Sequence, residues 1–168
     1  LHKGVDEITE SRIIKGMVGR ELSDRFPKRV DVAIGDVSME VKNWTVHHPK
    51  YTEKKVVDDV SFYVRRGEVI GISGLMGAGR TELAMSIFGR CYGSNISGEL
   101  LIDGKNVHLS SVREAIEHKL AYVTEDRKGN GLILSTPIAT NTTLANLAAV
   151  SHRGVIDRDR EYAVADTY

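Results

Sequence analysis

Apolar residues at Ile14, Met17, Val18 and Leu22 recur at helical spacing behind Thr9, a residue suited to capping a helix start, and they predict an amphipathic helix over residues 10–22. Phe26-Pro27-Lys28-Arg29 ends that helix. The polar run that follows, as far as Asp36, reads as a linker with a boundary near residue 30. Beyond it the period changes to two. Val37, Met39 and Val41 alternate with polar residues, and so do Val60, Phe62 and Val64, which predicts two half-buried strands around a polar loop containing Pro49. Arg66-Gly67 then turns the chain into Glu68 to Ser73, where Val69, Ile70 and Ile72 form the nearly unbroken apolar run expected of a strand covered on both faces.

The second half alternates helical and extended signals. A helix from Arg80 to Phe88 is closed by Gly89, and a strand at Leu100 to Ile102 runs into the tight turn Asp103-Gly104. The capping box Ser111-Val112-Arg113-Glu114 opens a short helix. Leu120 to Val123 is a further apolar strand, Thr140 to Val150 a helix, and Asp157 caps a last helix toward Tyr168. The predicted fold class is α/β, with an antiparallel β region at its start.

Composition narrows the chemistry. The 168 residues suffice for one ordinary domain, and 23 basic against 23 acidic side chains leave no net field to hold a nucleic-acid backbone or an anionic membrane. The single cysteine, Cys91, cannot form an internal disulfide, and no Cys/His cluster has zinc-ligand spacing, so the chain reads as reduced and cytosolic. Apolar runs such as Val69 to Ile72 and Leu147 to Val150 fall far short of the roughly 20 residues that cross a bilayer. The glycosylation triplets starting at Asn43, Asn95 and Asn141 are chance matches in a cytosolic protein.

One segment carries chemistry: Gly74-Leu75-Met76-Gly77-Ala78-Gly79-Arg80-Thr81. A triphosphate is a dense anion, held best by backbone N–H groups converging at the positive end of a helix. Gly74, Gly77 and Gly79 permit that approach between a strand and the helix from Arg80. The usual phosphate-binding loop has lysine where Arg80 stands; Thr81 fills the place of the hydroxyl that ligates Mg²⁺. Arginine keeps the charge but is planar and longer, so binding should survive better than catalysis. The glycine spacing is not that of a dinucleotide loop.

The segment from Gly71 to Leu83, with Tyr122-Val123-Thr124-Glu125-Asp126-Arg127-Lys128 and Gly131-Leu132, resembles the second nucleotide-binding domain of fused, two-cassette monosaccharide-import ABC transporter ATPases of the ribose, galactose and xylose type. Met17 to Leu22 and Phe26 to Arg29 resemble the tail of a first cassette and its linker. The resemblance implies residues 1–30 from a preceding cassette and 31–168 as the N-terminal part of the second. It implies a P-loop NTPase core with an antiparallel β subdomain, truncated at the start of a helical subdomain.

Its cofactors would be ATP and Mg²⁺, with nucleotide contacts from Gly74 through Thr81 and Glu82, and metal ligands Thr81 and Glu125. Glu125 stands where such cassettes carry a glutamine, and the alternative for it is a solvated loop carboxylate. An aromatic upstream of the loop stacks on adenine in this family, and the matching stretch holds Trp44, His47, His48 and Tyr51. Trp44 is open to core packing or base stacking; the histidines read as exposed loop residues.

The implied partners are the first cassette, membrane permease subunits and, indirectly, a periplasmic or extracellular sugar-binding protein, with no nucleic acid. The implied location is the cytoplasmic face of the cell membrane. The signature loop, the acidic strand end, the water-polarising glutamate and the switch histidine of a hydrolytic cassette are expected beyond residue 168, so this piece alone should not hydrolyse ATP. Competing readings are a regulatory module that senses ATP through Arg80 and Glu125, and a P-loop kinase or GTPase, which Arg80 and the missing Asn-Lys-x-Asp run oppose. A DNA-repair cassette is opposed by the neutral charge.

Overall fold

The computed structural model describes residues 9–18 and 32–168. Helix α1, Glu10–Val18, forms where the helical period predicts it. Leu22 and the Phe26 to Arg29 breaker lie outside the described residues. Of the helix's apolar stripe, Ile14 is half-buried and Met17 is 82% exposed.

A four-stranded antiparallel sheet follows, in the order β2-β1-β3-β4, from β1 (Val37–His47), β2 (Lys55–Arg65), β3 (Ser94–Ile102) and β4 (Lys105–Val107). Both predicted strands are longer than their alternating cores, and β3 extends six residues upstream of Leu100 because its polar start pairs with β1 through Thr45↔Ser97 and His47↔Ser94. Asp103 and Gly104, both at positive φ, make the predicted tight turn between β3 and β4.

Strand β1 does not keep one phase. Its pairing with both neighbours shifts between residues 41 and 45, at Asn43, whose φ is 49°. The bulge is held from both sides. Ser61 Oγ accepts the Asn43 backbone N–H at 2.8 Å, and the Asn43 side-chain amide donates to Asp59 Oδ1 at 2.8 Å. Opposite lies Gly98 at φ 108°, where a Cβ would sit 2.6 Å from the Lys42 carbonyl oxygen. Strict alternation from Val41 would turn Trp44 outward; the extra residue turns it inward beside Val46.

Helix α2, Arg80–Ile87, lies against this sheet, and Val41, Trp44, Val46, Val57, Leu83, Ile87, Leu100, Leu109 and Ala115 form one buried core. Trp44 is 4% exposed, its Nε1–H donates to Ser86 Oγ of α2 at 3.0 Å, and the Arg90 guanidinium lies 5.9 Å from its ring centroid. Ser86 passes its own proton to the Leu83 carbonyl at 2.8 Å, so the buried polar pair is satisfied. Gly89, at φ 69°, ends the helix as predicted.

The expected strands at 68–73 and 120–123 are corrected. Both segments are extended, but among the described residues neither has a strand beside it. Ile70, Leu120 and Tyr122 turn inward toward Phe62, Val64 and Leu83, while Val69 and Val123 are 75% and 91% exposed. An apolar run encodes a demand for burial on both faces; without a flanking strand only one face is covered.

Helix α3, Val112–Glu117, uses half of its capping box as drawn: Ser111 Oγ accepts from Glu114 N–H at 3.3 Å. The reciprocal arm moves one residue upstream, with Glu114 Oε2 accepting the Ser110 N–H at 2.7 Å. The predicted helix at 140–150 is α4, Ile138–Thr143, followed by a 3₁₀ stretch, Leu144–Val150, kinked at Asn146. A small hairpin of β5 (Ser151–His152) and β6 (Val155–Ile156), unforeseen in the pattern, turns on Arg153 and Gly154 at positive φ. Asp157 caps α5, Arg158–Ala165, as predicted. Among the described residues no helix is long and apolar enough to cross a membrane.

The buried Trp44–Ser86 contact ties sheet to helix. Trp44→Ala is expected to cost about 3–5 kcal/mol, read as a lower urea midpoint, and Trp44→Phe to cost less because most of the ring volume remains.

Candidate functional site

The glycine loop begins in the extended segment 68–73 and ends in the first turn of α2. Gly77 and Gly79 adopt φ of 80° and 82°, the left-handed region that side chains other than glycine's tolerate poorly. At Gly79 the constraint is double, because a Cβ there would collide with the Val56 carbonyl oxygen of β2. The loop is thereby clamped to the sheet edge at its C-terminal end, while Gly74 to Ala78 are solvent-exposed.

Gly79 caps α2 without a side-chain hydrogen bond, so among the described residues no capping side chain competes for the leading N–H groups of the helix. Arg80 is exposed at the first helical position and forms no ion pair among the described residues. Glu82 is half-buried one turn into the helix, near enough to Tyr122 to help raise its pKa. This arrangement offers backbone donors, a helix N-terminus and one cation to an anion of phosphate type.

The structure also joins two distant predicted residues. Thr81 Oγ1 donates to Glu125 Oε1 at 2.7 Å, and the Tyr122 hydroxyl approaches the second oxygen, Oε2, at 3.4 Å. The Thr81 hydrogen bond is the largest influence holding the Glu125 carboxyl below its ordinary pKa, with Arg80 adding attraction. Burial, and then the Glu125 charge, push the Tyr122 phenol upward. Adjacent oxygens of an octahedral Mg²⁺ shell lie about 2.9 Å apart, so this pair fits one edge of such a shell. Among the described residues no cluster of three or more His, Cys, Asp or Glu side chains that could hold a metal ion exists, so Thr81 and Glu125 would supply only part of an Mg²⁺ shell.

Behind the pair opens a cavity of about 570 Å³ lined by Thr81, Met85, Phe88, Cys91, Tyr122 and the 123–132 loop. Asp126 shapes that loop by accepting the Gly129 N–H at 2.9 Å.

Trp44 is not at the site. Of its two readings the structure shows core packing, with the residue 4% exposed among the buried residues of sheet and helix. Tyr51 is 63% exposed in the loop before β2. His47 and His48 are half-buried rather than exposed: His47 Nδ1 contacts the Thr52 carbonyl, and His48 Nδ1 accepts the N–H groups of Lys50 and Tyr51 at 3.0 and 3.2 Å. The signal that could have separated Trp44 from Tyr51 is phase along β1, and the bulge at Asn43 conceals it.

Sheet, clamped glycine loop and following helix define a P-loop NTPase domain. The pattern of the ABC transporter family matches residues 57–165, and the chain belongs to that family. It is 55% identical over 163 residues to the L-arabinose transport ATP-binding protein of Geobacillus stearothermophilus, covering 97% of this chain and 32% of that protein. It is 44% identical over 163 residues to the xylose import ATP-binding protein of Thermoanaerobacter pseudethanolicus, covering 97% and 32% respectively. It is 43% identical over 162 residues to the ribose import ATP-binding protein of Bacillus subtilis, covering 96% and 31%. The chain thus spans about a third of the length of these relatives.

Because the Glu125 pKa is depressed in the folded state, its contribution to stability is present above the ordinary glutamate pKa and is lost as pH falls through the depressed value. In a carboxyl-resolved NMR titration, Thr81→Val is expected to move the Glu125 midpoint upward toward the ordinary glutamate value. An unchanged midpoint would show that the hydroxyl is not its main cause.

Proposed function

We propose that the chain is the ATP-binding portion of the second cassette of the energy-coupling subunit of a sugar importer. Residues 1–30 then belong to the tail and linker of a first cassette, and 31–168 to the N-terminal part of the second. The observation that carries the reading is the loop from Gly74 to Thr81, clamped by Gly79 to Val56 and aimed by α2, with Thr81 hydrogen-bonded to Glu125. The likeness to arabinose, xylose and ribose import proteins supports a pentose as cargo of the whole protein.

In this reading the backbone N–H groups of the loop and Arg80 grip the phosphates, and Thr81 and Glu125 hold Mg²⁺, which when bound screens the phosphate charge. Tyr51 stacks on the base. It is an exposed aromatic close to the clamp in sequence, five residues before Val56, a span of at most about 18 Å. The partners are the first cassette, membrane permease subunits and a sugar-binding protein acting through them. The place of work is the cytoplasmic face of the membrane.

Arg80 in the lysine position and a carboxylate at Glu125 favour a site that binds and senses nucleotide more than one that hydrolyses it, since the carboxylate repels a γ-phosphate wherever metal or Arg80 does not intervene. A regulatory role inside the same importer is therefore the second reading. Hydrolysis belongs to the whole assembly, not to this stretch.

Deleting the full gene is expected to abolish uptake of one radiolabelled pentose among arabinose, xylose and ribose; unimpaired uptake of all three would remove the importer reading. The 168-residue chain alone is expected to release no phosphate from Mg-ATP above the buffer blank. In the full-length protein, Arg80→Ala is expected to weaken nucleotide binding at this site about tenfold, the loss of one charge-assisted phosphate contact.

A further inference from the structure

The loop between β1 and β2 is a built turn. The His48 N–H donates to the Lys54 carbonyl at 2.8 Å, and the Lys54 N–H donates to the Tyr51 carbonyl at 2.9 Å. Inside that frame the His48 ring nitrogen Nδ1 accepts two successive backbone N–H groups, those of Lys50 and Tyr51. A single side-chain acceptor therefore fixes the backbone from which the Tyr51 ring projects. The His48 ring also packs against the Tyr51 ring, with centroids 5.0 Å apart and planes tilted by 40°.

Tyr92, preceding β3, meets the His48 ring edge-on at 6.4 Å, and Ser94 Oγ donates to the His48 carbonyl at 3.0 Å. The imidazole thus meets the Tyr92 ring on one side and the Tyr51 ring on another, while Ser94 of β3 holds the His48 backbone. Pre-ordering an aromatic platform removes an entropy cost from ligand binding. One face of Tyr51 is backed by His48, and the residue stays largely exposed for a second ring.

We propose that His48 is a positioning residue for base recognition: it holds Tyr51 ready to stack on the nucleobase of a bound nucleoside triphosphate, and it takes no part in gripping the phosphates. The inference rests on the nucleotide reading above. Its chemistry separates two halves of the ligand, because a base-free polyphosphate uses the glycine loop but not Tyr51.

The test uses the full-length protein. Azido-ATP photolabelling of peptides from this cassette, read by mass spectrometry, gives the half-saturating concentration, and competition by inorganic tripolyphosphate gives the affinity for phosphates alone. His48→Ala is expected to raise half-saturation about tenfold, the scale of one lost base stack, with tripolyphosphate affinity unchanged. His48→Asn is expected to restore labelling, because an asparagine oxygen accepts the same two N–H groups in an Asx turn.

Unchanged half-saturation in His48→Ala, failure of His48→Asn to restore it, or a parallel loss of tripolyphosphate affinity would each overturn the positioning role while leaving the nucleotide reading in place. Absence of saturable labelling in the unsubstituted protein would instead overturn the nucleotide reading, and the role of His48 with it.

Discussion

The architecture turns on one close approach, the packing of Gly79 against the Val56 carbonyl of β2. No side chain fits there, and the φ of 82° at Gly79 suits only glycine without strain. That contact sets where α2 begins and which way its N-terminus points. It places the C-terminal end of the glycine loop at the edge of the antiparallel sheet, against β2. A phosphate site on a free loop would have to order itself on each binding event; here the sheet has ordered its anchor beforehand.

The core serves the same anchor. Trp44 and Ser86 join β1 to α2 through a buried hydrogen bond, and Leu83 and Ile87 fill the space between. Thr81 lies two residues after the clamp and meets Glu125, so the helix start is joined to the 123–132 segment and the cavity beside it. A change at the phosphates that moved Thr81 would be felt directly by Glu125 and Tyr122.

The uncovered apolar surfaces follow the same geometry. Ile70, Leu120 and Tyr122 are half-buried and line a cavity against the sheet and α2, while Val69, Ile72 and Val123 are exposed. Segments 68–73 and 120–123 have the composition of central strands and the accessibility of edge segments. The chain corresponds to about a third of its relatives' length.

Much of the molecule was legible in the residues alone, and the legible parts share a trait. The glycine loop, the Asp103-Gly104 turn, the caps at Ser111 and Asp157 and the stop at Gly89 depend on a few consecutive residues whose side chains satisfy or free nearby backbone groups. Such features are decided within one turn of chain, so the sequence by itself determined them. Tertiary structure alone decided the rest. Trp44 faces the core because Asn43 bulges against Gly98 of a neighbouring strand, a phase change that no single-strand pattern records. His48 meets the Tyr92 ring and accepts a bond from Ser94 at its backbone carbonyl, contacts from residues more than 40 positions away. Thr81 and Glu125, 44 residues apart, met because α2 and the 120–125 segment pack on the same sheet face. The apolar runs stated how much surface must be buried, but only the presence of partners settles which faces are.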